Sequence, residues 1–127
     1  MDNNKLPVGD KKYDLDERTE NFAKSVRSFL KNIMRSRSNI EDGKQLIRSS
    51  ASVAVNYIEA SEALSKKDFI YRIKISRKEA KESALFLRLL DTYGHEMLEV
   101  EKESLIREAI ELKKIFGSIV VKSEYNN

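Results

Sequence analysis

The sequence predicts an all-α fold, an antiparallel up-down-up-down four-helix bundle, and three observations carry that prediction. Only four Gly and one Pro occur in 127 residues, which leaves little turn chemistry for a sheet protein. Apolar residues recur at helical spacing in four separate stretches, each the mark of a helix with one buried side. Short breaks built from Ser, Asn, Asp and Gly separate these stretches, so consecutive helices pack antiparallel. The length suits a single domain with its own core.

Residues 1–13 mix Asp, Asn, Lys, Gly and the only proline without a period, and they read as a flexible arm ahead of a bundle domain over residues 14–123. Asp14 and Glu17 have the spacing of a capping box, which places the start of the first helix there. Phe22, Val26, Phe29, Leu30 and Ile33 form its core face, and Lys24, Arg27, Lys31 and Arg35 form a basic back. Ser36 to Ile40 breaks the pattern, and Asn39 with Asp42 predicts the cap of the second helix. Leu46, Ser50, Val53, Ala54, Tyr57 and Ser61 then line one side, with small residues that permit close approach of a neighbour. Ala51, Val55 and Ile58 widen this stripe beyond what one core requires.

Ser65 and Asp68 cap the third helix. Its core stripe is Phe69, Ile73, Ser76, Ala80, Ser83, Ala84 and Leu87, small in the middle to match the second helix. A second stripe, Tyr71, Ile75, Phe86 and Leu89, lies roughly opposite and calls for another partner surface, so subunits are expected to associate through it and through Val55 and Ile58. Lys74, Arg77, Lys81 and Arg88 make a basic ridge on a third side. Asp91-Thr92-Tyr93-Gly94 is read as a turn, with Gly94 stopping the helix. From about Val100 the fourth helix directs Leu105, Ala109, Leu112, Phe116 and Ile119 inward.

Charge is unevenly spread although the net value is only +3. Residues 1–90 carry 19 Lys and Arg against 13 Asp and Glu, while residues 91–127 carry 5 against 8. Such asymmetry suits either an anionic partner or attraction between subunits. Without cysteine there is no disulfide framework and no thiolate chemistry. No apolar run approaches the ~18 residues of a membrane span, and the first residues lack the apolar segment of a secretion signal. A cytoplasmic protein with no membrane partner is expected.

Several residue combinations resemble one family: Gln45-x-x-Arg48-Ser49, Asn56-Tyr57-x-Glu59-Ala60, Lys67-Asp68-Phe69, Lys78-Glu79-Ala80-x-Glu82 and Phe86-Leu87-Arg88-Leu89-Leu90. Together they are similar to the bacterial four-helix bundle family of 23S rRNA intervening-sequence proteins, over about residues 20–120. That resemblance implies a small bundle assembling as a ring-like homopentamer. It also implies kinship with the basic accessory variability proteins of diversity-generating retroelements, which work with a reverse transcriptase and nucleic acid. Two features depart from common members: Phe86 stands where a Trp often precedes the Leu, and the arm before Asp14 is long. Arg48, Asn56, Glu59, Glu79 and Glu82 are the positions carried over, and a structural or interfacial polar network is expected of them. Half-sunk polar groups need partners on a neighbouring helix.

Three functions follow for comparison. The first is a non-enzymatic oligomer that contacts an RNA or DNA backbone through its basic helix faces, ribosomal RNA being the implied target. A basic helix back is as readily a solvated face as a binding one, and no aromatic residue interleaves either ridge to stack on bases. The second is a protein-interaction scaffold with no nucleic-acid role. The third, an enzyme, has little support. Glu59, Glu79 and Glu82 lack the Glu-x-x-His pair of a carboxylate metal centre, and the single His95 lies beside a turn glycine. Ser49, Ser50 and Ser52 have no neighbouring base, and no Gly-rich loop cradles phosphate. Neither a cofactor nor a metal is expected.

Overall fold

The computed structural model describes residues 7–126, with side chains from Leu15 onward. Four helices, α1 (Pro7–Leu30), α2 (Arg37–Ser61), α3 (Lys66–Leu89) and α4 (Glu96–Tyr125), follow one another around a single core. Among the described residues there is no strand. The packing is most extensive between α2 and α3 and between α3 and α4, with less between α1 and α2 and less again between α1 and α4. This is the all-α four-helix bundle that the periodicity predicts.

The boundaries differ from expectation at the starts of α1, α2 and α4 and at the ends of α1 and α3. Helix α1 begins at Pro7, not near Asp14. Proline suits a first helical position, where its missing N–H leaves nothing unpaired, so the Asp14–Glu17 spacing falls inside the helix. Of the expected arm, residues 1–6 lie outside the described residues and 7–13 belong to the first turns of α1. At the start of α2 the cap is Ser36, whose Oγ accepts the Asn39 N–H at 3.2 Å. Asn39 is instead buried, donating Nδ2 to the carbonyls of Met34 and Asp91 at 3.1 and 2.8 Å and accepting the Asp91 N–H at 2.9 Å. One amide, both donor and acceptor, thereby joins the two connections at this end of the bundle.

Helix α3 begins as expected, with Ser65 Oγ accepting the Asp68 N–H at 3.1 Å. It ends at Leu89, before Gly94 is reached, because Leu90 turns to extended backbone and buries its side chain in the core. Tyr93 and Gly94, both left-handed at φ 54° and 76°, then reverse the chain. Helix α4 starts at Glu96 rather than Val100, with His95 Nδ1 accepting the Leu98 N–H at 3.3 Å. A histidine is an uncommon cap, which hid this boundary.

The interior follows the predicted stripes. Phe22, Val26, Phe29, Leu46, Val53, Ile73, Leu87, Leu112 and Phe116 are essentially removed from solvent. Where α2 meets α3, Ser49 and Ser83 share a 2.8 Å hydrogen bond and Ser76 donates to the Val53 carbonyl at 3.0 Å. These small residues let the two helices approach closely while leaving no buried hydroxyl unpaired. Tyr57 packs its ring against Phe116, with centroids 6.1 Å apart. Burial raises the Tyr57 phenol above its ordinary range, the charge of Asp16 adds to that shift, and a hydrogen bond with Ser61 opposes it. Among the described residues no helix is long and apolar enough to cross a membrane.

Candidate nucleic-acid interface

The sequence-predicted ridge on α3 becomes one wall of a cleft. Lys74, Arg77, Lys78 and Lys81 stand on α3, Lys113 stands opposite on α4, and Gly117 completes the lining of a space of about 540 Å³. Lys74, Lys78 and Lys81 succeed one another about every helical turn, which puts their side chains on one flank. Arg77 and Lys113 are half-buried, so the aliphatic stems form part of the wall while the charged heads reach the opening. Among the described residues no carboxylate is part of the lining, and Glu124 reaches it only at Lys74. Lys74 pairs at 3.4 Å with Glu124, both half exposed, and Arg77, Lys78, Lys81 and Lys113 have no ion-pair partner among the described residues. Arg88, the last member of the predicted ridge, lies beyond the cleft in the final turn of α3.

The ridge expected on the first helix is shorter than the spacing implied. Helix α1 ends at Leu30, which leaves Lys31 in the turn and Arg35 in the connection to α2. Of the two that remain helical, Lys24 pairs with Glu20 at 2.9 Å and Arg27 donates to the Ala23 carbonyl at 3.3 Å. A cation already paired one turn away is the ordinary solvated arrangement.

The polar network is assembled between α2 and α3. Arg48 lies 3.6 Å from Glu79 and 3.4 Å from Glu82, and its Nε donates to Gln45 at 3.4 Å. The Glu79 carboxylate is buried and its Oε1 accepts no hydrogen bond, so Arg48 is the cation that offsets its charge. Asn56 joins from the same seam, donating to Ser52 and accepting the Arg72 Nη1–H at 3.1 Å. Arg72 also lies 5.7 Å from the centre of the Tyr71 ring, within cation–π range. Glu59 is exposed and stands apart from this group.

The second apolar stripe is outward-facing. Val55, Ile58, Tyr71 and Leu89 are each more than half exposed, Ile75 is half-buried, and Phe86 reaches back to pack against the core. Leu85 adds to this face. A separate polar groove of about 530 Å³ runs between α1 and α4, bridged by Arg18, whose fork donates to Glu108 at 3.0 and 2.8 Å. Among the described residues no cluster of three or more His, Asp or Glu side chains is placed to hold a metal ion.

Sequence reasoning missed Lys78, Lys113, Gly117 and Arg72. Lys78 was accessible, being four residues beyond Lys74. Lys113 and Gly117 lie on another helix, and their place depends on how α3 and α4 dock.

Comparison with known proteins places this architecture among relatives. The 23S rRNA-intervening sequence protein family matches residues 11–118. A crystal structure of a protein of unknown function from the S23 ribosomal protein family of Bacteroides thetaiotaomicron superposes with a TM-score of 0.72 at 28% identity, over 84% of this chain and 97% of that one. Comparison with curated proteins returns no match.

Proposed function

Since the chain belongs to the 23S rRNA-intervening sequence protein family, we propose that it is a non-enzymatic, oligomeric bundle that grips the backbone of RNA or DNA through the basic cleft between α3 and α4. The observation that carries this reading is the set of four cations without an ion-pair partner among the described residues, Arg77, Lys78, Lys81 and Lys113, which line one space together with Lys74. Lys and Arg neutralise phosphates and release condensed counterions, so such a cleft attracts a polyanion without regard to sequence. Ribosomal RNA is the first candidate, the protein would act in the cytoplasm, and a reverse transcriptase is a further candidate partner by family kinship. The exposed stripe of Val55, Ile58, Tyr71 and Leu89 supports association with further copies, for which a homopentamer is the expectation. A ring would multiply the clefts and add avidity.

A filter-binding titration with ribosomal RNA fragments tests the reading. Neutralising about four phosphates weakens binding by roughly 10² between 50 and 200 mM salt, and replacing Arg77, Lys81 and Lys113 by Gln lowers the salt slope by about 2 to 3. Retention that ignores salt, or no retention, would count against it. The same exposed stripe favours a second reading, a ring-like interaction scaffold with no nucleic-acid role. That reading would gain if Leu89→Lys abolished self-association in sedimentation experiments while the intact oligomer ignored RNA.

A further inference from the structure

Asn39 ties the α1–α2 and α3–α4 connections together, so α1 ends where α4 begins. This end of the bundle carries two patches that the basic cleft does not use. The first is an apolar hollow of about 200 Å³, lined by Leu30, Ile33, Met34, Ile40 and Ile47 around Gly43. Pockets for small ligands usually span about 300–1,000 Å³, so this space suits an inserted side chain rather than a cofactor. Its rim is basic: Arg35 is exposed with no ion-pair partner among the described residues, and Lys44 pairs with the exposed Glu41 at 3.6 Å.

The second patch is the start of α4. Met97 and Val100 protrude there, 72% and 66% exposed. Glu96, Glu101 and Glu103 beside them are exposed and have no ion-pair partner among the described residues. The other charges of this stretch are engaged within the chain, Glu99 by the Thr92 hydroxyl at 2.6 Å and Lys102 by the Leu90 carbonyl at 2.8 Å. Val100 stands one turn before Ser104, which lines the groove between α1 and α4, so it lies on the α1 side of α4. The Arg18–Glu108 pair sets the register of these two helices, and counting from it puts Met97 level with Phe29. The protruding pair therefore stands beside the last turn of α1, and the hollow opens just beyond that turn.

We infer that two copies of this chain dock end to end across a two-fold axis, Met97 and Val100 of each entering the hollow of the other while Glu96 and Glu101 meet Arg35 and Lys44. Apolar side chains grouped on a surface beside charges of one sign mark a contact site, and methionine adapts well to an irregular hollow. A second copy is the occupant because the chain itself carries both halves, apolar against apolar and acidic against basic. Both patches lie at one end, so a two-fold contact uses each of them twice and doubles the area that a small hollow can bury. The contact draws on no residue of the α3–α4 cleft or of the exposed α2–α3 stripe. If that stripe closes rings, this contact pairs the rings face to face.

The test is sedimentation of the full chain beside two charge-reversed variants, one with Arg35→Glu and Lys44→Glu, the other with Glu96→Lys and Glu101→Lys. Each variant alone sets like charges across both halves of the contact and is expected to sediment at half the mass of the parent. Mixed in equal amounts, the two variants present opposite charges in both halves, and the parent mass returns. This holds whether the unit that pairs is a single chain or a ring, so the outcome does not depend on the stripe. Val100→Ser, which removes part of the knob without changing charge, weakens the pairing by about tenfold and keeps the test decisive should a charge reversal disturb the fold, as thermal melting would reveal. A parent mass that all variants retain overturns the inference, as does a mixture that stays at half the mass. RNA retention that persists in the variants leaves the cleft reading standing either way, and RNA retention lost only on Arg77→Gln and Lys81→Gln separates the two sites.

Discussion

On one flank of α3, Arg77, Lys78 and Lys81 face a cleft with no carboxylate in ion-pairing reach among the described residues. On the other flank, Arg72, Glu79 and Glu82 are engaged with Asn56 and Arg48 of α2. One helix thus carries two charged faces with opposite uses. On the α2 side the polar groups pair across the seam, half-exposed Arg48 with buried Glu79 and with Glu82, and so help to fix how two helices meet. On the α4 side only Lys74 has an anion within reach among the described residues, Glu124 at 3.4 Å, and the other cations repel one another unless an anion is supplied from outside. The difference separates residues whose loss should destabilise the fold from residues whose loss should weaken only the proposed binding.

Substitutions on the two flanks sharpen the contrast. The largest effect is expected from Ser83→Leu, which forces a large side chain into the Ser49 contact and costs about 3 kcal/mol by overpacking, read as a lower urea midpoint. Arg48→Ala comes next. It leaves the buried Glu79 carboxylate without its cation, and because Arg48 is itself half exposed the cost is about 1–2 kcal/mol. Lys78→Ala, on the cleft side, is expected to change stability by no more than about 0.5 kcal/mol while weakening RNA binding. Comparable destabilisation by Arg48→Ala and Lys78→Ala would erase the distinction between the flanks.

The smallest effect involves pH. The Tyr57 phenol is raised in the folded chain, so the folded state holds its proton more tightly than the unfolded state does. Its contribution is complete below the unfolded value of about 10 and is lost as pH rises toward the folded one. Tyr57→Phe should therefore flatten the fall of stability above pH ~10, measured by denaturant titration across that range.

Much of this architecture could be read from spacing alone, and the exceptions have physical causes. The Ser65 cap, the small-residue face of α2 and the core stripe of α3 are local patterns, and they appear where periodicity puts them. The start of α2 was displaced because Ser36 and Asn39 are both good caps. The choice between them is made by Asp91, distant in sequence, which claims the Asn39 amide. Lys74, Arg77 and Lys81 were visible as one ridge, yet a ridge does not reveal a cleft. The opposite wall, with Lys113 and Gly117, exists only once α3 and α4 are docked. Arg35 falls outside the helix back that its spacing predicts because α1 stops at Leu30.

Asn39 has a consequence for how the chain tolerates change. Because its amide couples the Met34 and Asp91 backbones, lengthening either connection at that end would pull on the geometry of both helix pairs at once. At the opposite end the link between α2 and α3 carries a fully exposed Leu64. Extra residues, a tag or a reporter should be accommodated there, leaving the Asn39 latch closed and the cleft undisturbed.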